Sequence, residues 1–112
     1  MNKRELGTQK ELQAMHYLES QGMKILQRNY RCRMGEIDLI AQEGDCLVFV
    51  EVKFRTSSCY GSPLEAVNVR KQSTIRKVAQ YYLLGRRQAD CPVRFDVVGI
   101  CGDQIEHIRN AF

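Results

Sequence analysis

The segment Cys46 to Phe54 constrains the chain most. It carries the strongest strand signal in the sequence, with Leu47-Val48-Phe49-Val50 at its heart. Glu36 to Ala41 reads as the strand before it, and Gln42-Glu43-Gly44-Asp45 as a tight turn, so the two form a hairpin. Alternation along the second strand puts Glu51 and Lys53 on the face shared by Leu47 and Phe49. Two charged groups therefore extend an apolar row. Charge turned toward a core is costly unless it is paired or used.

Register then places a second acid nearby. A two-residue turn on Glu43-Gly44 sets Asp38 opposite Phe49, and one on Gly44-Asp45 sets it opposite Glu51. Either register gives Asp38 the face of Glu51 and Lys53. The flanking elements follow from punctuation and period. Residues 3–21 read as a helix ended by Gly22, with an apolar stripe through Leu12, Met15 and Leu18. At about 100° per residue, Glu11 falls roughly 40° from Met15 and 20° from Leu18, inside that stripe. Met23 to about Tyr30 reads as a strand and Arg31 to Gly35 as a loop. After a polar, loop-like Arg55 to Ser62, Pro63 suits a first helical turn. Arg70 to Leu84 reads as a helix ended by Gly85, its stripe formed by Ile75, Val78, Ala79, Tyr82 and Leu83. Val93 to Cys101 and Gln104 to about Arg109 are the last strands. The order α-β-β-β-α-β-β predicts an α/β fold, a mixed sheet with helices packed on it, over one domain of 112 residues.

Three carboxylates and a lysine on one patch suit a divalent metal. Mg²⁺ or Mn²⁺ prefers oxygen ligands, which makes Asp38, Glu51 and Glu11 the expected metal set. Such an ion activates water for attack on a phosphodiester, with Lys53 placed to orient that water or stabilise the transition state. The bland alternative is an i, i+2 Glu51–Lys53 ion pair, a solvated Asp38, and Glu11 as a helix-boundary residue.

Charge is consistent with a polyanionic partner. Seventeen basic against thirteen acidic residues give a net charge of +4. Arg55, Arg70 and Lys71 are the candidate phosphate contacts, with Arg76 and Lys77 farther along the same helix. Tyr60, Tyr81 and Tyr82 are candidates for stacking on bases, Tyr82 being better explained as core. Asp96, in an apolar strand, is left without a role. No apolar run approaches a membrane span, and the first residues carry no apolar signal region. A cytoplasmic protein is expected, and with it five reduced thiols at Cys32, Cys46, Cys59, Cys91 and Cys101.

Gly35-Glu36-Ile37-Asp38-Leu39-Ile40 followed by Phe49-Val50-Glu51-Val52-Lys53 resembles the core of the PD-(D/E)xK nuclease superfamily. Across nearly the whole chain the sequence resembles the YraN family of small bacterial proteins. The shared stretches include Gly7 to Glu11, Tyr60-Gly61-Ser62-Pro63, Arg94-Phe95-Asp96-Val97-Val98, and His107-Ile108-Arg109-Asn110-Ala111-Phe112. The resemblance implies a restriction-endonuclease-like fold, similar to archaeal Holliday-junction resolvases. It implies that Asp38 and Glu51 bind Mg²⁺, that Lys53 assists the attacking water, and that Glu11 matches the first-helix acid of the resolvase-like branch. Ile37 stands where the superfamily's name has proline. The expected function is Mg²⁺-dependent endonuclease action on DNA, branched or structured DNA included. A nucleic-acid-binding module without turnover and a protein-interaction scaffold are the alternatives. The chain is short for enclosing a duplex, so a homodimer is expected, as in the resolvase-like relatives.

Overall fold

The computed structural model describes residues 2–55, 59, 61–86 and 90–112. Helix α1 spans Lys3–Ser20. Strands β1 (Lys24–Cys32), β2 (Gly35–Glu43) and β3 (Cys46–Arg55) follow as a meander. A 3-10 turn, Pro63–Ala66, leads to helix α2 (Val69–Arg86), and strands β4 (Val93–Cys101) and β5 (Gln104–Ile108) complete the chain. The expected element order and α/β class hold. Several boundaries move, Gln42 and Glu43 of the expected turn among them, which pair with Leu47 and Cys46. Arg31 and Cys32, expected in a loop, pair with Glu36 and Gly35, and Gly85, expected to end the helix, lies within α2.

Local chemistry sets these limits. The Asn2 side chain accepts the Glu5 backbone N–H at 2.8 Å and caps α1. Asn68 does the same for the Lys71 N–H at 2.8 Å, in the first turn of α2. Gly44, with φ +61°, supplies the left-handed residue of the Gly44-Asp45 turn between β2 and β3.

The five strands lie in the order β1-β2-β3-β4-β5. All neighbours are antiparallel except β3 and β4, whose parallel pairing requires the crossover that contains α2. Each face of the sheet carries one helix. Ala14 and Leu18 of α1 pack with Leu39, Ala41, Val48, Val50 and Val98. Ile75, Val78, Ala79 and Tyr82 of α2 pack with Ile40, Leu47, Phe49 and Val97 on the other face. Burial of each large apolar side chain there contributes about 1.5–3 kcal/mol. The sheet is therefore a middle layer, and β3 alternates cleanly between the two cores.

That regularity fails at one place. The β2–β3 ladder runs from Glu43↔Cys46 only to Leu39↔Val50, while β3 continues against β4 to Arg55↔Cys101. Ile37 and Leu39 are two apart yet join opposite cores. Asn29, between the pairs Arg28↔Leu39 and Tyr30↔Ile37, has φ +51°, a conformation asparagine tolerates better than most residues. Helix α2 presses on the start of β2, where a Cβ on Gly35 would come within 2.7 Å of Thr74. The sheet forks at this level, and Asp38 stands at the fork.

Candidate metal centre and its surroundings

Asp38 is held by the backbone it has separated from. Its Oδ2 accepts the Val52 N–H at 2.8 Å, which replaces a strand-to-strand bond with a side-chain one. Extending the Leu39↔Val50 register brings Asp38 level with Glu51, as the Gly44-Asp45 turn predicts. Asp38 acts on the Glu51 carboxyl through hydrogen bonding and through its charge. Glu51 is only 4% exposed. Burial, that hydrogen bonding and the charge of Asp38 push its carboxyl up to about 8, against the pull of Lys71 and Lys53.

Among the described residues, Lys71 is the cation that forms an ion pair with Glu51. Its Nζ lies 3.4 Å from Glu51 Oε2 in an ion pair. That oxygen is buried and accepts no formed hydrogen bond. The pairing crosses from β3 to the first turn of α2, and replaces the i, i+2 pair with Lys53 that strand spacing offers. Lys53 is half-buried on the same face and also favours ionised Glu51.

Glu11 approaches from α1. Burial raises its carboxyl first and the charge of Asp38 second, while the Asn29 side chain opposes both. Its Oε2 is the other buried carboxylate oxygen without a hydrogen-bond partner among the described residues. Asp38 is thus the acid that both glutamates sense. Among the described residues, no three His, Cys, Asp or Glu side chains converge into one metal-binding group. The structure sets Asp38 level with Glu51 at the end of the β2–β3 ladder and leaves Glu11 coupled to Asp38 through charge.

The expected phosphate contacts divide. Arg70 is exposed in the first turn of α2, beside Lys71. Arg55 donates to the Ser62 carbonyl at 3.4 Å. Together with Lys53 it borders a cleft of about 130 Å³ that includes Gly99, Cys101, Gln104 and Glu106. Lys53 pairs with Gly99, and Gly99 with Glu106, so the three stand in a row across the sheet. Gly99 has no side chain because the Pro63 ring occupies that space. Tyr81 is exposed, Tyr82 belongs to the core, and Tyr60 lies outside the described residues.

Three features escaped the sequence reading. Cys59 and Cys101, expected as reduced thiols, form a disulfide across 42 residues, with Cys59 beside the end of β4 at a Cα–Cα distance of 6.1 Å. Cys32, Cys46 and Cys91 are free. Asp96 is fully buried and saturated: Arg94 donates to it through Nε (2.8 Å) and Nη2 (3.0 Å), the Asn110 N–H at 3.0 Å, and His107 Nε2 lies 2.7 Å away. Arg94 and Arg109 both reach Glu43, and His107 meets the Tyr17 hydroxyl at 3.3 Å. The i, i+2 spacing of Arg94 and Asp96 in an apolar strand was the available signal. The third is Asn29, whose backbone angle no spacing rule announces.

A protein-family profile described as "Uncharacterised protein family UPF0102" matches residues 10–100, a span that includes Glu11, Asp38, Glu51, Lys53 and Lys71. A UPF0102 protein of Lachnoclostridium phytofermentans is 51% identical over 113 residues, covering 100% of this chain and 96% of the relative. One from Caldicellulosiruptor saccharolyticus is 44% identical over 118 residues and covers both chains fully. One from Saccharophagus degradans is 50% identical over 109 residues, with 96% and 92% coverage. No described helix is long and apolar enough to cross a membrane.

Proposed function

The chain belongs to the UPF0102 family, and on that premise we propose that it is a divalent-metal-dependent endonuclease-like enzyme acting on DNA. The observation that carries this reading is the buried Glu51 Oε2, in contact range of a cation yet without a hydrogen bond, beside a second carboxylate. A buried acid with an unfilled oxygen is costly to keep unless a ligand completes it. The donor set is hard oxygen, which fits Mg²⁺ or Mn²⁺. The likeness to the PD-(D/E)xK superfamily in fold order and in the Asp38, Glu51, Lys53 set supports the same assignment.

Asp38 and Glu51 would hold the ion, with Asp38 fixed in place by the Val52 N–H. When bound, the ion activates a water and neutralises charge on the scissile phosphodiester. Lys53, on the face of Glu51, orients that water or stabilises the charge that develops on phosphate. Glu11 adds negative charge from the α1 side through Asp38. Arg55, Arg70 and Lys71 meet the DNA backbone, which makes binding salt-sensitive and largely independent of sequence.

The test is incubation of the pure protein with branched, single-stranded and duplex DNA, in Mg²⁺, Mn²⁺ or chelator. Cleavage that requires the metal and disappears in Glu51→Ala is expected. Cleavage that persists in Glu51→Ala removes this site from the account. Salt-sensitive binding without cleavage would make the protein a nucleic-acid-binding module. Neither binding nor cleavage would leave a protein-interaction scaffold.

A further inference from the structure

We propose that Lys71 is an exchangeable occupant of the metal position: its ammonium balances Glu51 until a divalent ion arrives, which ejects it to the rim of the site as a phosphate contact. This inference rests on the metal reading above and goes beyond it, by assigning Lys71 two places.

The two ends of the ion pair differ in freedom. Glu51's side chain is 5% exposed, whereas that of Lys71 is 40% exposed. The Lys71 backbone is anchored, because its N–H is capped by Asn68 and sits in the first turn of α2. The long side chain beyond that anchor can swing. A divalent ion on Glu51 Oε2 would sit at about 2.0–2.1 Å. The ammonium now lies 3.4 Å from the same oxygen. Two cations that close, around one buried carboxylate, repel strongly in a poorly solvated site. Lys71 therefore leaves as the ion enters. Its route out is toward solvent, beside exposed Arg70. The freed ammonium adds to the basic first turn of α2 only when the site is loaded. Metal binding and DNA binding are then coupled through one side chain, without any movement of the fold.

The exchange is read from the amine itself. Lys71 is acetylated with an activated ester, in saturating Mg²⁺ or in chelator, and quantified by peptide mass spectrometry. Its labelling should rise several-fold with Mg²⁺. In Glu51→Gln it should be fast and indifferent to Mg²⁺. Mn²⁺ affinity, read from the free-ion electron paramagnetic resonance signal, should tighten several-fold in Lys71→Gln and stay unchanged in Lys77→Gln, on the exposed part of the same helix. If Mn²⁺ binds in a Glu51-dependent way while Lys71 labelling ignores metal, the exchange is wrong and the metal centre stands. An equal gain in Lys77→Gln, or weaker binding in Lys71→Gln, also overturns it. Absence of any Glu51-dependent Mn²⁺ binding overturns both the exchange and the metal reading.

Discussion

The carboxylate of Asp38 is bonded to the Val52 backbone N–H at 2.8 Å, at the level where β2 has left β3. The same residue therefore closes the fork and furnishes an acid to it. Asp38→Asn keeps an acceptor for Val52 and removes the charge, so folding should survive with a change within about 1 kcal/mol while metal-dependent cleavage is lost. Asp38→Ala leaves the Val52 N–H unpaired and should cost about 1–3 kcal/mol. Urea denaturation of both variants checks the split. Equal destabilisation by the two substitutions would mean that the bond to Val52 does not anchor the fork.

Glu51 gives stability an unusual pH dependence. Its native carboxyl titrates at about 8, against an ordinary value of 4.5. Between those values the unfolded chain has released the proton that the native protein keeps, so this group makes stability fall as pH rises. In chelator, Glu51→Gln should match the parent near pH 5 and exceed it near pH 9, by on the order of 4 kcal/mol. Urea midpoints across that range measure the difference. A constant offset at all pH values would contradict the raised Glu51 carboxyl.

Asp96 contributes stability of the opposite sign with pH. Burial raises its carboxyl, but hydrogen bonds from His107, Arg94 and Asn110 outweigh it and hold the group below the ordinary 3.8. Its contribution is present above that value and fades as pH falls through the native one. Asp96→Ala strands Arg94 and His107 and should cost about 3–5 kcal/mol. Arg109→Ala removes a partly exposed contact to Glu43 and should cost less than about 1 kcal/mol. Chemical denaturation at neutral pH compares the two, and similar losses would show that the buried network is not the stronger unit.

Gly99→Ala should destabilise and Gly7→Ala should stabilise. A Cβ on Gly99 overlaps the Pro63 ring, so overpacking of about 1–3 kcal/mol is expected, with displacement of the 3-10 turn that borders the Lys53 cleft. A Cβ on Gly7, within α1, meets nothing within 4 Å, and alanine there should add about 0.5–1 kcal/mol. Thermal melts of the two variants should move in opposite directions. A neutral Gly99→Ala would mean that Pro63 yields without resistance.

The sequence was most informative where neighbours along the chain determine geometry. Strand alternation puts Glu51 on the α2 face with Leu47 and Phe49, and the Gly44-Asp45 turn sets its register with Asp38. Alternation holds because β3 is buried on both faces and a one-residue slip would invert every side chain. It does not foresee Ile37 and Leu39 parting to opposite cores, since that follows from the twist at Asn29 and the pressure of α2 on Gly35. Contacts set by the crossover were equally hidden. Lys71 reads as one basic residue among several on a helix, and only the parallel β3–β4 pairing brings that helix over Glu51. Cys59 and Cys101 meet for the same reason, at a separation that carries no spacing signature.

The topology also sets an order of events during folding. The β1-β2-β3 meander closes through turns of two residues, whereas β3 must wait for the whole crossover before β4 can dock. Local contacts form before distant ones, because closing a long loop is entropically slow. Asp38 and Glu51 are thus brought together early, and Lys71 arrives with the later-docking helix. A nascent chain would then hold the two acids side by side with Lys53 but without Lys71, a charge imbalance that ambient divalent ions would relieve. Refolding should therefore be faster in Mg²⁺ than in chelator, and Glu51→Gln should erase that difference.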